Sequence, residues 1–185
     1  MNFNEHSSLE GVHAFLGASK YSWLNYDDDK LDEAYLRAQA KHKGTKLHEL
    51  AAQLIEMRVP LPKTSQTLNM YVNDAIGYRM TPEQVLYYSP HCFGTADTIC
   101  FRKNLLRIHD LKTGFTPASM NQLEIYAGLF CLEYDINPND IDMELRIYQM
   151  DEALIHIPEK DRILFIMDKI VYFSKRLDEL ESEEL

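Results

Sequence analysis

Three residues near the middle of the chain have the types and spacing for metal or phosphate chemistry. Asp97 closes the run Gly94-Thr95-Ala96-Asp97, and Asp110-Leu111-Lys112 ends the next apolar stretch. In a strand, residues i and i+2 share a face, which aims Asp110 and Lys112 the same way. Tight pairing of the two segments brings two carboxylates and an ammonium together. Leu105, Leu106, Ile108 and Leu111 surround them with apolar side chains, so a carboxylate there needs a partner. A divalent cation is one such partner, because hard Mg²⁺ or Mn²⁺ takes carboxylate, carbonyl and water oxygens. The other is a plain Asp110–Lys112 ion pair on an exposed strand, and D-x-K alone does not choose between them.

Further polar residues fall on predicted helices nearby. Gln122 and Tyr126 stand at i and i+4 on one helix face, just after the loop that follows Lys112. Gly44-Thr45-x-x-His48 puts an imidazole at the edge of an apolar stripe, where it faces either a cleft or the core boundary. Lys41, Lys43 and Lys46 precede His48, and Arg102, Lys103 and Arg107 lie on the predicted hairpin. They form either a local phosphate track or an ordinary solvated basic face.

The elements that must position these residues follow from periodicity. A short amphipathic piece over 12–23 and an acidic turn at Asp27-Asp28-Asp29 precede a long helix over 31–57, ended by Pro60 and Pro62. Leu47, Leu50, Ala51 and Leu54 mark its core stripe. A helix follows from Thr64 or Ser65, as N-caps, to Tyr78. Aromatic and β-branched runs predict strands at 83–88, 93–101 and 105–111, with a polar turn at Arg102-Lys103-Asn104. A helix over 118–134, a strand over 143–148 and a helix over 159–180 complete a mixed α/β (α+β) core with a helical front end. The acidic tail from Leu177 to Leu185 is expected to fray.

Composition narrows the class. A chain of 185 residues, 45% apolar and 26% charged with seven Gly and seven Pro, reads as one globular domain and excludes collagen-like and disordered classes. With 19 basic and 29 acidic residues the net charge is −10, so any nucleic-acid function must use a local site. Cys92, Cys100 and Cys131 have no CxxC spacing, which encodes neither a disulfide framework nor a cysteine metal site. The opening Met1 to Gly17 carries charge and His where a signal peptide needs an apolar run. No apolar stretch approaches the roughly 20 residues that span a bilayer, so a cytoplasmic protein without membrane contact is expected.

The ordered set G-T-x-x-H, G-T-A-D, D-x-K and Q-x-x-x-Y, from Gly44 to Tyr126, resembles the PD-(D/E)xK nuclease superfamily, in the branch of RecB-type, Cas4-type and lambda-exonuclease-type enzymes. The stretch from Gly17 to Asn25 also resembles the opening of phage-borne members. The resemblance implies a restriction-endonuclease-like core, a mixed central sheet flanked by helices. By matched position it implies that His48, Asp97, Asp110 and the Leu111 carbonyl bind Mg²⁺ or Mn²⁺. Lys112 would hold or help deprotonate the attacking water, while Gln122 and Tyr126 would orient the scissile phosphate or support the metal shell. The implied reaction is hydrolysis of DNA, exonuclease-like and leaving 5′-phosphates, in phage DNA processing, recombination or repair.

Where Cas4-type relatives carry cluster cysteines this chain has Ser19, Tyr21 and Ser22, so no iron–sulfur cluster is expected. The chain has no room for a helicase motor, which leaves processivity to a protein partner or a homo-oligomer. The alternative is a nuclease-fold protein with weak or no catalysis that binds a protein partner through its acidic surface.

Overall fold

The computed structural model describes residues 7–9 and 12–183. Residues 1–6, 10 and 11 of the opening read as unlike a signal peptide, and the last two residues of the acidic tail, lie outside the described residues. The chain divides into two units, Met1–Lys43 and Gly44–Leu185.

In the first unit, 3₁₀ turns cover Ser7–Leu9 and Ala18–Asn25, and helix α1 (Asp28–Glu56) begins. The amphipathic helix expected over 12–23 is replaced by the second 3₁₀ segment, on which Tyr21 and Leu24 are exposed. Trp23 folds back instead, donating its indole N–H to the Gly17 carbonyl at 3.0 Å. The expected acidic turn is the start of α1 itself. The Asp27 carboxylate accepts the Lys30 amide at 2.9 Å, and Asp28 and Asp29 occupy the first turn, where the helix dipole favours negative charge.

The second unit holds a five-stranded sheet in the order β1 (Thr81–Ser89), β2 (Cys92–Arg102), β3 (Leu105–Leu111), β4 (Asp142–Gln149), β5 (Glu152–His156). Only β3 and β4 run parallel, and α3 (Asn121–Glu133) makes the crossover between them. Helices cover both faces. Alternation along β3 sends Leu106 and Ile108 into a core with α3 and α4 (Lys160–Glu183), where Leu123, Ala127, Ile163 and Ile166 meet them. It sends Leu111 into a second core with Ala51 and Ile55 of α1 and Tyr71, Val72 and Ala75 of α2 (Thr67–Gly77). This is the α+β architecture expected from the sequence, with the four predicted strands and the predicted helices after residue 27 in place.

The differences have tertiary causes. α2 starts at Thr67 rather than at Thr64 or Ser65, because Asp151, in the β4–β5 turn, accepts the Thr67 amide at 2.8 Å. Thr64 spends its hydroxyl on Asn69. α3 starts at Asn121 because Gln149 donates to the Gly114 and Thr116 carbonyls and accepts from the Ala118 amide, which holds the preceding loop extended. Strand β5 was not expected. It follows a two-residue turn in which Met150 and Asp151 both have positive φ, 50° and 60°, without the Asn-Gly that marks such turns. The acidic tail does not fray at Leu177: α4 continues to Glu183, and His91 reaches Asp178 at 3.1 Å and Glu181 at 3.7 Å.

Among the described residues no helix is long and apolar enough to cross a membrane.

Candidate metal centre

The register of the first three strands lines up three carboxylates. Pro82 pairs with Thr98 and Gln84 with Ala96, which sets Glu83 opposite Asp97. Thr98 pairs with His109, which sets Asp97 beside Asp110 on the next strand. Directly opposed like charges repel, so this row needs a compensating cation.

Two glycines of the sequence motifs explain how helices approach the row. A Cβ on Gly44 would lie 2.7 Å from the Thr113 hydroxyl oxygen, so only glycine lets α1 close on the end of β3. One turn later α1 delivers His48. A Cβ on Gly94 would lie 2.9 Å from Cε1 of Tyr126, so glycine there leaves space for the tyrosine ring of α3.

His48 Nδ1 lies 3.3 Å from Asp97 Oδ2, and the Leu111 amide donates to the same oxygen at 2.8 Å. One ligand atom each from His48, Glu83 and Asp97 lie within 4.8 Å of one another. Imidazole nitrogen with carboxylate oxygens is a donor set for Mn²⁺ or Mg²⁺. Glu83 is the residue sequence reasoning missed. It adopts φ 50°, in the left-handed region that a glutamate enters at a cost of about 1 kcal/mol or more.

Asp110 is buried, its side chain only 3% exposed. Lys112 Nζ donates to Asp110 Oδ1 at 3.1 Å and lies 2.9 Å from Oδ2, yet Oδ2 receives no hydrogen bond of good geometry. Lys112 also donates to Gln122 Oε1 at 2.8 Å, and Gln122 Nε2 donates to the Tyr126 hydroxyl at 3.1 Å. The D-x-K ion pair therefore exists, but on a buried carboxylate rather than an exposed strand. It is also one link in a chain from Asp110 through Lys112 and Gln122 to Tyr126.

Titration follows from this crowding. The hydrogen bond to Asp97 raises the His48 pKa above the usual imidazole value, helped by the charges of Asp97, Asp110 and Glu83 against the opposing effect of burial. Burial raises Asp110 above the ordinary carboxylate value, with Asp97 adding to it and Lys112 and His48 opposing. Glu83 is raised by burial and by Asp97. Burial is the larger cause for Asp110 and Glu83, and the Asp97 carboxylate adds to all three shifts.

The remaining sequence-singled residues are placed differently. Leu111 enters through its amide on Asp97, while its side chain is buried in the second core. Lys46 is exposed on α1, two residues before His48, and Lys43 belongs to the first unit. Arg102 and Lys103 sit at the β2–β3 turn, at the opposite end of β3 from Asp110. Arg102 pairs with Leu105, five strand residues or roughly 17 Å away. Arg107 is bound to Glu144 at 3.1 Å and stacks its guanidinium over Tyr78. A phosphate track made of these hairpin cations beside the carboxylates is therefore not formed: they lie at the far end of the strand or are held in ion pairs.

The fold and site together define an α+β protein with an imidazole and carboxylate cluster where β1, β2 and β3 meet α1 and α3. No protein-family model matches the chain, and no curated protein does.

Proposed function

We propose that the chain is a divalent-metal-dependent deoxyribonuclease, exonuclease-like, that acts in the cytoplasm on DNA ends and leaves 5′-phosphates in phage DNA processing, recombination or repair. One observation carries this reading: the His48, Glu83 and Asp97 ligand atoms gathered within 4.8 Å, beside a buried Asp110 tied to Lys112. The resemblance of the ordered motifs adds the substrate class.

His48, Glu83 and Asp97, with Asp110 alongside, would hold a Mg²⁺ or Mn²⁺ ion, which would acidify a bound water and offset charge on the scissile phosphate. The chain's own residues do the rest. Lys112 holds its ammonium between Asp110 and Gln122, where it can donate a hydrogen bond to the attacking water and offset developing negative charge. Gln122, fixed by Tyr126, sets the position of that ammonium. His48 must be neutral to bind metal, so its raised pKa makes loading favour alkaline solution.

The test is digestion of end-labelled linear and covalently closed circular DNA with Mg²⁺, Mn²⁺ or EDTA, comparing wild type with Asp110→Ala and Lys112→Ala. Metal-dependent loss of linear DNA alone, abolished in both variants, is the expected result. Loss of the circle as well would make the enzyme an endonuclease, and no cleavage by folded wild type would overturn the reading.

A further inference from the structure

Helices α3 and α4 border a groove of about 520 Å³. Its α4 wall presents Arg162, Phe165, Lys169 and Phe173 at helical spacing, and Ile125 of α3 and Cys92 of β2 face them. Both rings are about half exposed, Phe165 at 52% and Phe173 at 51%. The Lys169 ammonium lies 5.7 Å from the Phe165 ring centre and 5.0 Å from that of Phe173, and the Arg162 guanidinium lies 5.8 Å from Phe165. Among the described residues no carboxylate side chain lines the groove itself, and at its His91 end Asp178 and Glu181 lie 3.1 and 3.7 Å from the imidazole.

Arg162 is anchored by Glu124 at 3.1 Å and Asn121 at 3.2 Å, whereas Lys169 forms no ion pair among the described residues. The groove also begins next to the candidate site. Asn121, which lines it, precedes Gln122, the partner of Lys112.

We propose that this groove binds a single strand of DNA, with unpaired bases stacking on Phe165 and Phe173 and a phosphate on Lys169. The inference rests on the nuclease reading and extends it, by giving a path to one strand of the substrate. Exposed aromatics with a cation between them are the chemistry of sequence-tolerant single-strand binding, and Lys169 is that cation here. Eight helical residues separate the two rings, a rise of about 12 Å, which is the length of about three to four stacked nucleotides.

Binding of a fluorescein-labelled single-stranded oligothymidylate to the full chain, read by anisotropy in EDTA, tests this without cleavage. A blunt duplex of equal length is the control. Wild type should bind the single strand more tightly than the duplex. Phe165→Ala/Phe173→Ala and Lys169→Glu should each weaken single-strand binding by about tenfold or more. Lys169→Glu, which keeps both rings, should in addition flatten the salt dependence. The half-exposed positions make loss of fold separable by thermal melts.

Binding by either variant equal to wild type overturns the proposal, as does equal affinity for strand and duplex. Sedimentation showing that the phenylalanine variant turns a dimer into a monomer with unchanged DNA affinity overturns it in favour of an interface between copies. Groove-dependent binding in EDTA without cleavage in Mg²⁺ or Mn²⁺ upholds the groove and rejects the nuclease.

Discussion

His48 Nδ1 stands 3.3 Å from Asp97 Oδ2, the oxygen that also accepts the Leu111 amide at 2.8 Å. One carboxylate oxygen thus joins α1, β2 and the end of β3. The second strand of the hairpin fixes the carboxylate, and the carboxylate orients the imidazole, so the two groups are held together by hydrogen bonds the chain makes itself.

Glu83 is expected to cost stability and supply affinity. Its φ of 50° suits glycine, so Glu83→Gly should be more stable than Glu83→Ala by about 1 kcal/mol, although both lack the carboxylate. Titration calorimetry with Mn²⁺ should give both variants at least about tenfold weaker binding than wild type. Equal Mn²⁺ affinity in all three proteins would remove Glu83 from the ligand set.

Asp110→Asn should melt higher than wild type at pH 7 while losing cleavage. The folded protein holds the Asp110 carboxyl above its unfolded value of 3.8. The stability this group contributes is therefore complete below that value and is lost as pH rises through the folded pKa. At neutral pH the ionised group is a net cost, only partly offset by Lys112. Asparagine should recover on the order of 1 kcal/mol, a rise of about 2–4 °C, and the gain should shrink toward pH 4. A variant less stable than wild type at pH 7 would contradict this account.

His109 makes the opposite prediction. It is fully buried on β3, Nε2 has no partner, Nδ1 lies 3.4 Å from the Tyr148 hydroxyl, and burial pushes its pKa down to about 3, with Arg146 and Arg107 adding to the effect. Stability from keeping this ring neutral is present above the unfolded value near 6.5 and is lost as pH falls toward 3. Urea melts from pH 7 to pH 4 should show wild type losing a few kcal/mol, about one for each pH unit below 6.5, and His109→Leu losing less. Parallel pH profiles for the two proteins would assign acid sensitivity elsewhere.

Gly94→Ala should disturb chemistry more than fold. The added methyl meets the Tyr126 ring, which must shift and release Gln122, so cleavage should fall by about tenfold or more while stability drops by about 1–3 kcal/mol. Tyr126→Ala removes the clash. In a double-mutant cycle, Gly94→Ala should cost almost nothing on the Tyr126→Ala background, and additive costs would show that the two residues do not press on each other.

The elements around the site were legible in the sequence because each carries a local signal. The β3 boundaries at Leu105 and Leu111 follow from an apolar run between a polar turn and Lys112, and the α1 stripe appears at Ala51 and Leu54. Asp97, Asp110, Lys112, Gln122 and Tyr126 were readable as a set because they follow one another along a hairpin and a helix. Glu83 was not, since Glu83-Gln84-Val85 reads as an ordinary edge strand and its place opposite Asp97 depends on register. That register is itself the signal that was available, once the β1–β2 turn at Ser89–Cys92 is located. The hairpin cations misled for the same reason: closeness in sequence to Asp110 conceals that a strand separates its ends. β5 was hidden because Met150-Asp151 adopts a turn its residue types do not announce.

Glu83, Asp97 and Asp110 all lie on the β1–β2–β3 meander, whose strands are joined by short turns, whereas α3 must complete a crossover before β4 can pair with β3. Contacts of short sequence separation close early and at low entropic cost, and the parallel pairing comes later. The order of assembly thus concentrates carboxylate repulsion in the first structure to form, while the Lys112–Gln122 contact arrives only with α3. Lys112, two residues from Asp110, is the compensating charge already present at that stage.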